Sequence, residues 1–446
     1  MGDQTVDLLG RLVRLGCVND LTADSGGEER AADLLEEFFA GLPVSIERIT
    51  PHPGRTSLVV TVEGADPRSA GTPLTLLGHT DVVPVDTAKW TRDPFGAQIE
   101  DDVMWGRGTV DMLHMTAAMA VVTREVARRA QEGAPLTRSL VFVAAADEEA
   151  RGGLGVPWIG DNKPNALPWD AALSEMGGAH VRGRRGGDSV VVVVGEKGAA
   201  QRRLHIRGDA GHGSVPLGRM SAVERLAQVS AALSAARWPT ATDEVWAGFV
   251  RAFEFDETIE TSLINGTYEG DYSEFEDLAA FAHAISHVTV AQTVAHSGGP
   301  INVLPSHATL ELDIRTLPGV NDDDVDAAIA AALGDLAEHV TIERLLSEAA
   351  TASSIDTDLY RVIEAALTQR YPGTRVVPVF FPGGSDLRVA RRLGGIGYGF
   401  GAVDSGASLG QVYSQLHAHD EHIALADVRA TAEVLHEVVT SYLTDV

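Results

Sequence analysis

The chain has 446 residues, more than one compact core usually holds, so two domains are expected. It is 44% hydrophobic and 22% charged, an ordinary globular balance that argues against wholesale disorder. A formal net charge of -28 makes nucleic acid a poor partner, because phosphate-backbone binding relies on Lys and Arg neutralising phosphates.

Leu8, Leu12 and Leu15 recur at helical spacing, in a stretch that mixes charged and apolar residues and so lacks the form of a signal peptide. Cys17, the only cysteine, permits no intramolecular disulfide and no thiolate cluster, which fits a reducing, cytoplasmic setting. Ser25, three residues before Glu28, predicts the cap of an amphipathic helix through Ala31, Leu34, Leu35, Phe38 and Phe39. Short apolar runs at Leu58 to Val62, Pro73 to Leu77, Leu140 to Ala146, Ala171 to Leu173 and Val190 to Val194 predict strands. All are too short to cross a bilayer, so no membrane partner is expected.

Thr116 to Ala130, free of Gly and Pro, predicts a helix between two of those strands. Strand, helix and strand in turn predict an α/β sheet, in which ligands gather beyond the carboxyl ends of the strands. His79 and Asp81, Glu148 and Glu149, and Glu175 all follow strand ends. From about residue 197 the texture changes. Gln201 to Arg207 and Thr309 to Arg315 alternate strictly, as half-solvated antiparallel strands do, and helices are predicted over 221–236 and 323–337. This predicts an α+β domain at 197–347 inserted into a larger α/β domain formed by 1–196 and 348–446. The aromatic, acidic stretch Trp238 to Ser286 shows no clear period. Later runs predict a helix over 356–370, strands over 376–380 and 396–400, and a last helix over 424–443.

The chemistry-bearing residues fall in five clusters. Gly78-His79-Thr80-Asp81 offers an imidazole with a carboxylate two residues on, as a metal ligand and its orienting partner would, or as a buried histidine beside a cap would. Trp105 to Met112 brings glycines and then Asp111, either an N-cap or a metal bridge. Asp147-Glu148-Glu149 supplies paired carboxylates, one able to bind metal while its neighbour moves a proton. Glu175 and His417 complete the set, and two histidines with three carboxylates suit two divalent ions sharing one bridge.

In order and spacing, GHTDVVP at 78–84, WGRGTVDM at 105–112, DEE at 147–149, SEMGG at 174–178, GEKG at 195–198, GHGSVP at 211–216, NVLP at 302–305, LDIR at 312–315, GGSD at 383–386 and HAHDE at 417–421 resemble the M20 metallopeptidases related to aminoacylase, carboxypeptidase G2 and succinyl-diaminopimelate desuccinylase. The resemblance covers nearly the whole chain. It implies a zinc-exopeptidase-like three-layer α/β catalytic domain, with a ferredoxin-like insert serving as lid or dimerisation domain. It implies Asp111 bridging two zinc ions (cobalt or manganese as alternatives), with Glu149 and His417 on one and His79 and Glu175 on the other. Glu148 then resembles the general base, Asp81 the residue holding His79, and His212 an oxyanion donor that often comes from the other subunit of a homodimer. Asn302, Arg315 and the backbone at Gly384 would hold the substrate's carboxylate. The reaction implied is hydrolysis of an amide or peptide bond in a small substrate, such as an N-acyl amino acid or dipeptide, by metal-activated hydroxide.

The sequence departs from the family in one place. Met112-Leu113-His114-Met115 replaces the usual Met-Lys-Gly after the bridging Asp, adding an imidazole and losing a cation. His419 also lies two residues from His417, and the spacing to Asp420-Glu421 selects His417. Two other classes compete with the hydrolase. One is an inactive metal- or peptide-binding member of the same fold, which the retention of Glu148 disfavours. The other is a di-iron oxidase, whose ligands belong on bundle helices rather than after strands.

Overall fold

The apolar runs of the first half become strands buried on both faces. Along Leu74–His79 and Leu140–Ala145, successive side chains point into two separate apolar layers. Leu76, Leu140, Phe142 and Ala144 face one layer, whereas Leu77, Val141, Val143 and Ala145 face the other with Val156, Ile159, Leu387 and Val389. A strand covered on both faces has no solvated side to keep polar, which is why these runs are continuous rather than alternating.

The computed structural model describes residues 1–64, 72–134 and 136–444. It is an α/β fold whose main sheet has 10 strands of mixed direction. Leu74–His79 lies parallel to Leu140–Ala145 on one side and to Ala171–Ser174 on the other, with His79 level with Ala145. The parallel register brings three strand ends to one edge, followed directly by His79, by Asp147 to Glu149 and by Glu175. Helices Gly2–Leu15, Leu113–Gln131 and Leu425–Thr444 pack together over one face. Gly78 permits this close approach, since a Cβ there would stand 2.7 Å from Thr116 Oγ1. No helix among the described residues is long and apolar enough to cross a membrane.

A separate 5-stranded antiparallel sheet comprises Gly198–Ala199, Arg202–Arg207, Thr289–Ser297, His307–Thr316 and Val340–Arg344. Leu310, Leu312 and Ile314 are buried on one of its faces. Helix Ala222–Ala235, closed at its start by a Ser221–Glu224 capping box, packs on this sheet and on helix Asp322–Leu333.

Several expected boundaries move. The S-x-x-E spacing at Ser25 does not cap a helix. Gly26 and Gly27, at φ 81 and 69, turn the chain first, and the helix runs Glu29–Phe38. Ser25 Oγ instead accepts from Asp20 N and from Arg55. The helix after Asp111 starts at Leu113 with Met112 at its N-cap, so Asp111 stands before the helix and is not its cap. The helix expected over 323–337 ends at Leu333, where Gly334 takes φ 54 and a 3-10 turn follows. Trp238 to Ser286, which has no readable period, forms helices Glu244–Ala252, Glu257–Ile264 and Ala279–Ser286 with a 3-10 turn at Ser273–Leu278. Trp246, Phe249, Phe253, Phe255 and Phe275 pack ring against ring among them.

Candidate metal centre

Five side chains from five places in the sequence meet beyond the strand ends. His79 closes its strand, fully buried, and Glu175 follows Ala171–Ser174 directly. Asp111 ends the glycine-containing turn before the helix at Leu113. Glu149 follows the strand that ends at Ala145. His417 comes from a turn at φ 60, brought in by strand His422–Ala424 pairing with Val103–Trp105.

The two carboxylate oxygens of Asp111 face two different imidazoles. Oδ1 lies 3.3 Å from His79 Nε2, and Oδ2 lies 3.3 Å from His417 Nε2. Glu149 Oε2 is 3.1 Å from His417 Nε2, and Glu175 Oε2 is 3.8 Å from His79 Nε2. The result is two ligand groups, His79-Asp111-Glu175 and Asp111-Glu149-His417, each with donor atoms within 4.8 Å of one another. Glu149 Oε1 and Glu175 Oε2 are buried without a hydrogen-bond partner, an expensive arrangement for carboxylate oxygens that a cation would relieve.

The electrostatics of the five groups agree. Burial drives the Glu149 carboxyl up to about 7 and that of Glu175 up to about 8, with the Asp111 charge adding in each case. Burial works against a charged His79, but Asp111 and Glu175 outweigh it and hold the ring well above its usual value. Hydrogen bonds to Asp111 and Glu149 raise His417 to about 10. Asp111 is held well below the carboxylate range because the two imidazoles overcome its burial. Such competition for protons marks a set with more negative charge than its own neighbours satisfy.

Glu148 is half-buried beside this set, and burial pushes its carboxyl well above the usual range. Asp81 differs in detail from expectation. The nearer partner of His79 Nδ1 is the Asp81 backbone carbonyl at 2.9 Å, whereas the Asp81 carboxylate is 3.6 Å away. That carboxylate accepts from Glu148 N at 3.2 Å, Glu149 N at 3.1 Å and Asn19 Nδ2 at 2.9 Å, so it holds the DEE turn in place.

The cleft over the set is also lined by Arg315, Gly384 and Arg388. Arg315 is paired with Asp313 at 2.9 Å. Arg388 donates to Arg151 O and has no carboxylate within ion-pair reach among the described residues. His212 and Asn302 stand elsewhere, at a small two-stranded antiparallel ladder where His212 pairs with Val303 and its Nδ1 meets Ser214 Oγ at 2.7 Å. Neither lines the cleft. His114 is half-buried on the wall of an adjoining apolar space, its Nδ1 unpartnered among the described residues, and desolvation lowers it to about 4. His419 is exposed and belongs to neither ligand group.

Two supports were not legible from spacing. Glu421 accepts from Arg107 Nη1, Gly108 N, Val110 N and Asp111 N, fixing the turn that carries Asp111. Buried Glu196 pairs with Arg391 at 3.3 Å and accepts from Ser385 N, fixing the Gly383-Gly384 loop.

Known proteins resemble this chain in sequence and in fold. The chain is 27% identical to the probable carboxypeptidase S-like 2 of Dictyostelium discoideum over 344 residues, covering 74% of this chain and 64% of that protein. The chain thus spans just under two thirds of that relative. It is 26% identical to a succinyl-diaminopimelate desuccinylase of Cereibacter sphaeroides, covering 98% of each chain. The fold superposes on an M20 family metallo-carboxypeptidase of Sulfolobus solfataricus with a TM-score of 0.71, at 20% identity and 99% coverage of both chains. The model of peptidase family M20/M25/M40 matches residues 75–441, and the chain belongs to that family.

Proposed function

We propose that the chain hydrolyses the amide bond of a small substrate, an N-acyl amino acid or a dipeptide, at a centre of two divalent cations. The observation that carries this reading is the double use of Asp111, one carboxylate oxygen facing each imidazole. Asp111, Glu149 and His417 would hold one ion, and Asp111, His79 and Glu175 the other. Nitrogen and oxygen donors of this kind suit zinc, with cobalt or manganese as alternatives. Two such ions would polarise the scissile carbonyl and acidify the attacking water.

Glu148, lifted by burial, is a stronger base than a solvated carboxylate. It takes the proton of the attacking water and delivers it to the leaving nitrogen. Asp81 holds the backbone of Glu148 and Glu149, and its carbonyl orients His79. Arg315, the backbone at Gly384 and Arg388, which has no ion-pair partner among the described residues, receive the substrate's carboxylate. The unit at 197–347 serves as the lid or dimerisation domain of a catalytic domain made of 1–196 and 348–446. His212 and Asn302, remote from their own cleft, reach the cleft of a second copy, where His212 donates to the oxyanion. Val215, Leu217, Ile301 and Val303 around them are exposed, an apolar tip that a second subunit would cover.

The test is dialysis against a strong chelator with elemental analysis before and after, alongside a screen of N-acyl amino acids and dipeptides. Two zinc-class ions per chain and activity restored by zinc or cobalt are expected. Full activity after complete metal removal would overturn the reading.

A further inference from the structure

A second space lies behind the metal cleft. It is a cavity of about 240 Å³ whose wall shares Glu175, Met176, Phe381, Tyr413 and Leu416 with the cleft, so the two meet across these side chains. Its lining is mostly apolar and built from distant parts of the chain. Val193 and Val379 come from the main sheet, Phe400 and Val403 from the segment after Ile396–Gly399, and Phe281 from the aromatic helical stretch with no readable period. Tyr413 packs edge-on against Phe281 at 5.2 Å and against Phe381 at 6.2 Å, forming the partition between the two spaces.

Most polar groups on the wall are already committed, the exceptions among the described residues being His114 Nδ1 and Glu175 Oε2. Asp427 accepts from Ser405 N and Ser405 Oγ, Thr431 Oγ1 donates to Ala402 O, and His422 Nδ1 meets Asp420 O. Water entering such a cavity finds few partners, so an apolar group that fills it gains both burial and the release of poorly bonded solvent.

The two spaces therefore have opposite character. Arg151, Lys197, Arg315 and Arg388 line the cleft and none of them lines the chamber. A substrate lying across the metal ligands with its carboxylate toward those cations sends the opposite end, the carbonyl side of the scissile bond, toward the chamber. An amino acid's carboxylate lies on the leaving-nitrogen side of an N-acyl amino acid, so the group pointing into the chamber is the acyl group. Among the described residues, a peptide's N-terminal ammonium would find only Glu175, a member of the ligand set, and Asp427, already paired with Ser405, as carboxylates on that wall.

We propose that this chamber is the acyl pocket, and that the chain prefers N-acyl amino acids carrying an aryl or several-carbon acyl group over N-acetyl compounds and over free dipeptides. The inference rests on the C–N hydrolase reading above and goes on to name which half of the substrate sets specificity.

The experiment compares kcat/KM for N-acetyl, N-butyryl, N-hexanoyl and N-benzoyl derivatives of one amino acid with that of a free dipeptide, using zinc-loaded enzyme. N-hexanoyl or N-benzoyl is expected to exceed N-acetyl by about tenfold or more, the scale of several buried methylenes. Val412→Trp, which fills the wall, should bring the hexanoyl-to-acetyl ratio near one, and Phe281→Ala should move the optimum to longer chains. These ratios are independent of the folded fraction of a variant. Hydrolysis of N-acetyl substrate with a flat or falling series, or faster cleavage of the dipeptide, overturns the chamber assignment. If no amide is hydrolysed, the functional reading fails instead, and the chamber is then tested by thermal shift. Hexanoate stabilising the protein more than acetate supports it, and equal shifts overturn it.

Discussion

Glu421 accepts the backbone N–H of Asp111 at 3.1 Å across 310 residues of sequence. The same carboxylate takes Arg107 Nη1 at 2.7 Å, and both side chains are buried. Glu421→Ala leaves Arg107 charged without its partner and three backbone donors unpaired. The variant is expected to lose about 3 to 5 kcal/mol of stability, measured by urea unfolding. Metal affinity should fall about 10- to 100-fold in a competition titration, because Asp111 loses its fixed backbone. Wild-type values for both would remove Glu421 from the positioning role.

Glu148→Gln keeps the size of the side chain and removes its basicity. Metal content should stay at the wild-type level while kcat falls by about 10²- to 10⁴-fold. Unchanged turnover would assign the proton to another group.

If His212 acts across a dimer, two inactive variants should rescue each other. Mixing Glu148→Gln with His212→Ala, followed by subunit exchange, yields heterodimers in which one of the two clefts has both groups intact. Activity of about a quarter of wild type is expected from random pairing in a two-fold dimer. No recovery after verified exchange would place His212 outside the partner's cleft.

His287 predicts how stability depends on acid. Burial and the ring of His283, stacked at 4.3 Å, lower it to about 4, with the Lys197 ammonium adding and the edge of Tyr272 at 5.5 Å. The unfolded chain therefore binds this proton more readily than the folded one. The contribution is fully present above pH 6.5 and is lost as pH falls toward 4. The slope should stay below the about 1.4 kcal/mol per pH unit of one fully buried group, since His287 is partly exposed. Unfolding measured from pH 4 to 7 should show this slope in the wild type and less of it in His287→Phe. Identical profiles would exclude the residue.

Part of the centre was legible because His79, Glu149 and Glu175 lie at or just after the ends of apolar runs, whereas Asp111 and His417 lie on turns that no such run marks. Val, Leu and Ala over 140–145 can only be a buried strand or part of a buried helix, and the acidic residues after it then sit at a strand end. The Ser25 cap failed because spacing carries no information about Gly26 and Gly27, whose positive φ redirects the chain before the helix starts. The hold of the Asp81 carboxylate on the DEE turn was not legible for a similar reason. Besides lying 3.6 Å from His79 Nδ1, it accepts from the amides of Glu148 and Glu149, which are distant in sequence. Residues 238–286 resisted reading because their rings pack on one another rather than on one regular face, so no helical period survives in the sequence.

Strand Ile396–Gly399 runs parallel to Ala171–Ser174 and bridges at Gly399 to Val193 of Asp188–Glu196. On the ribosome, the first half of the main sheet is finished long before this piece emerges, which leaves a slot with unpaired backbone edges in its interior. Open edges of that kind recruit foreign strands. The nascent chain is therefore most vulnerable to aggregation between synthesis of residues 196 and 399, and chaperone capture should concentrate in that interval.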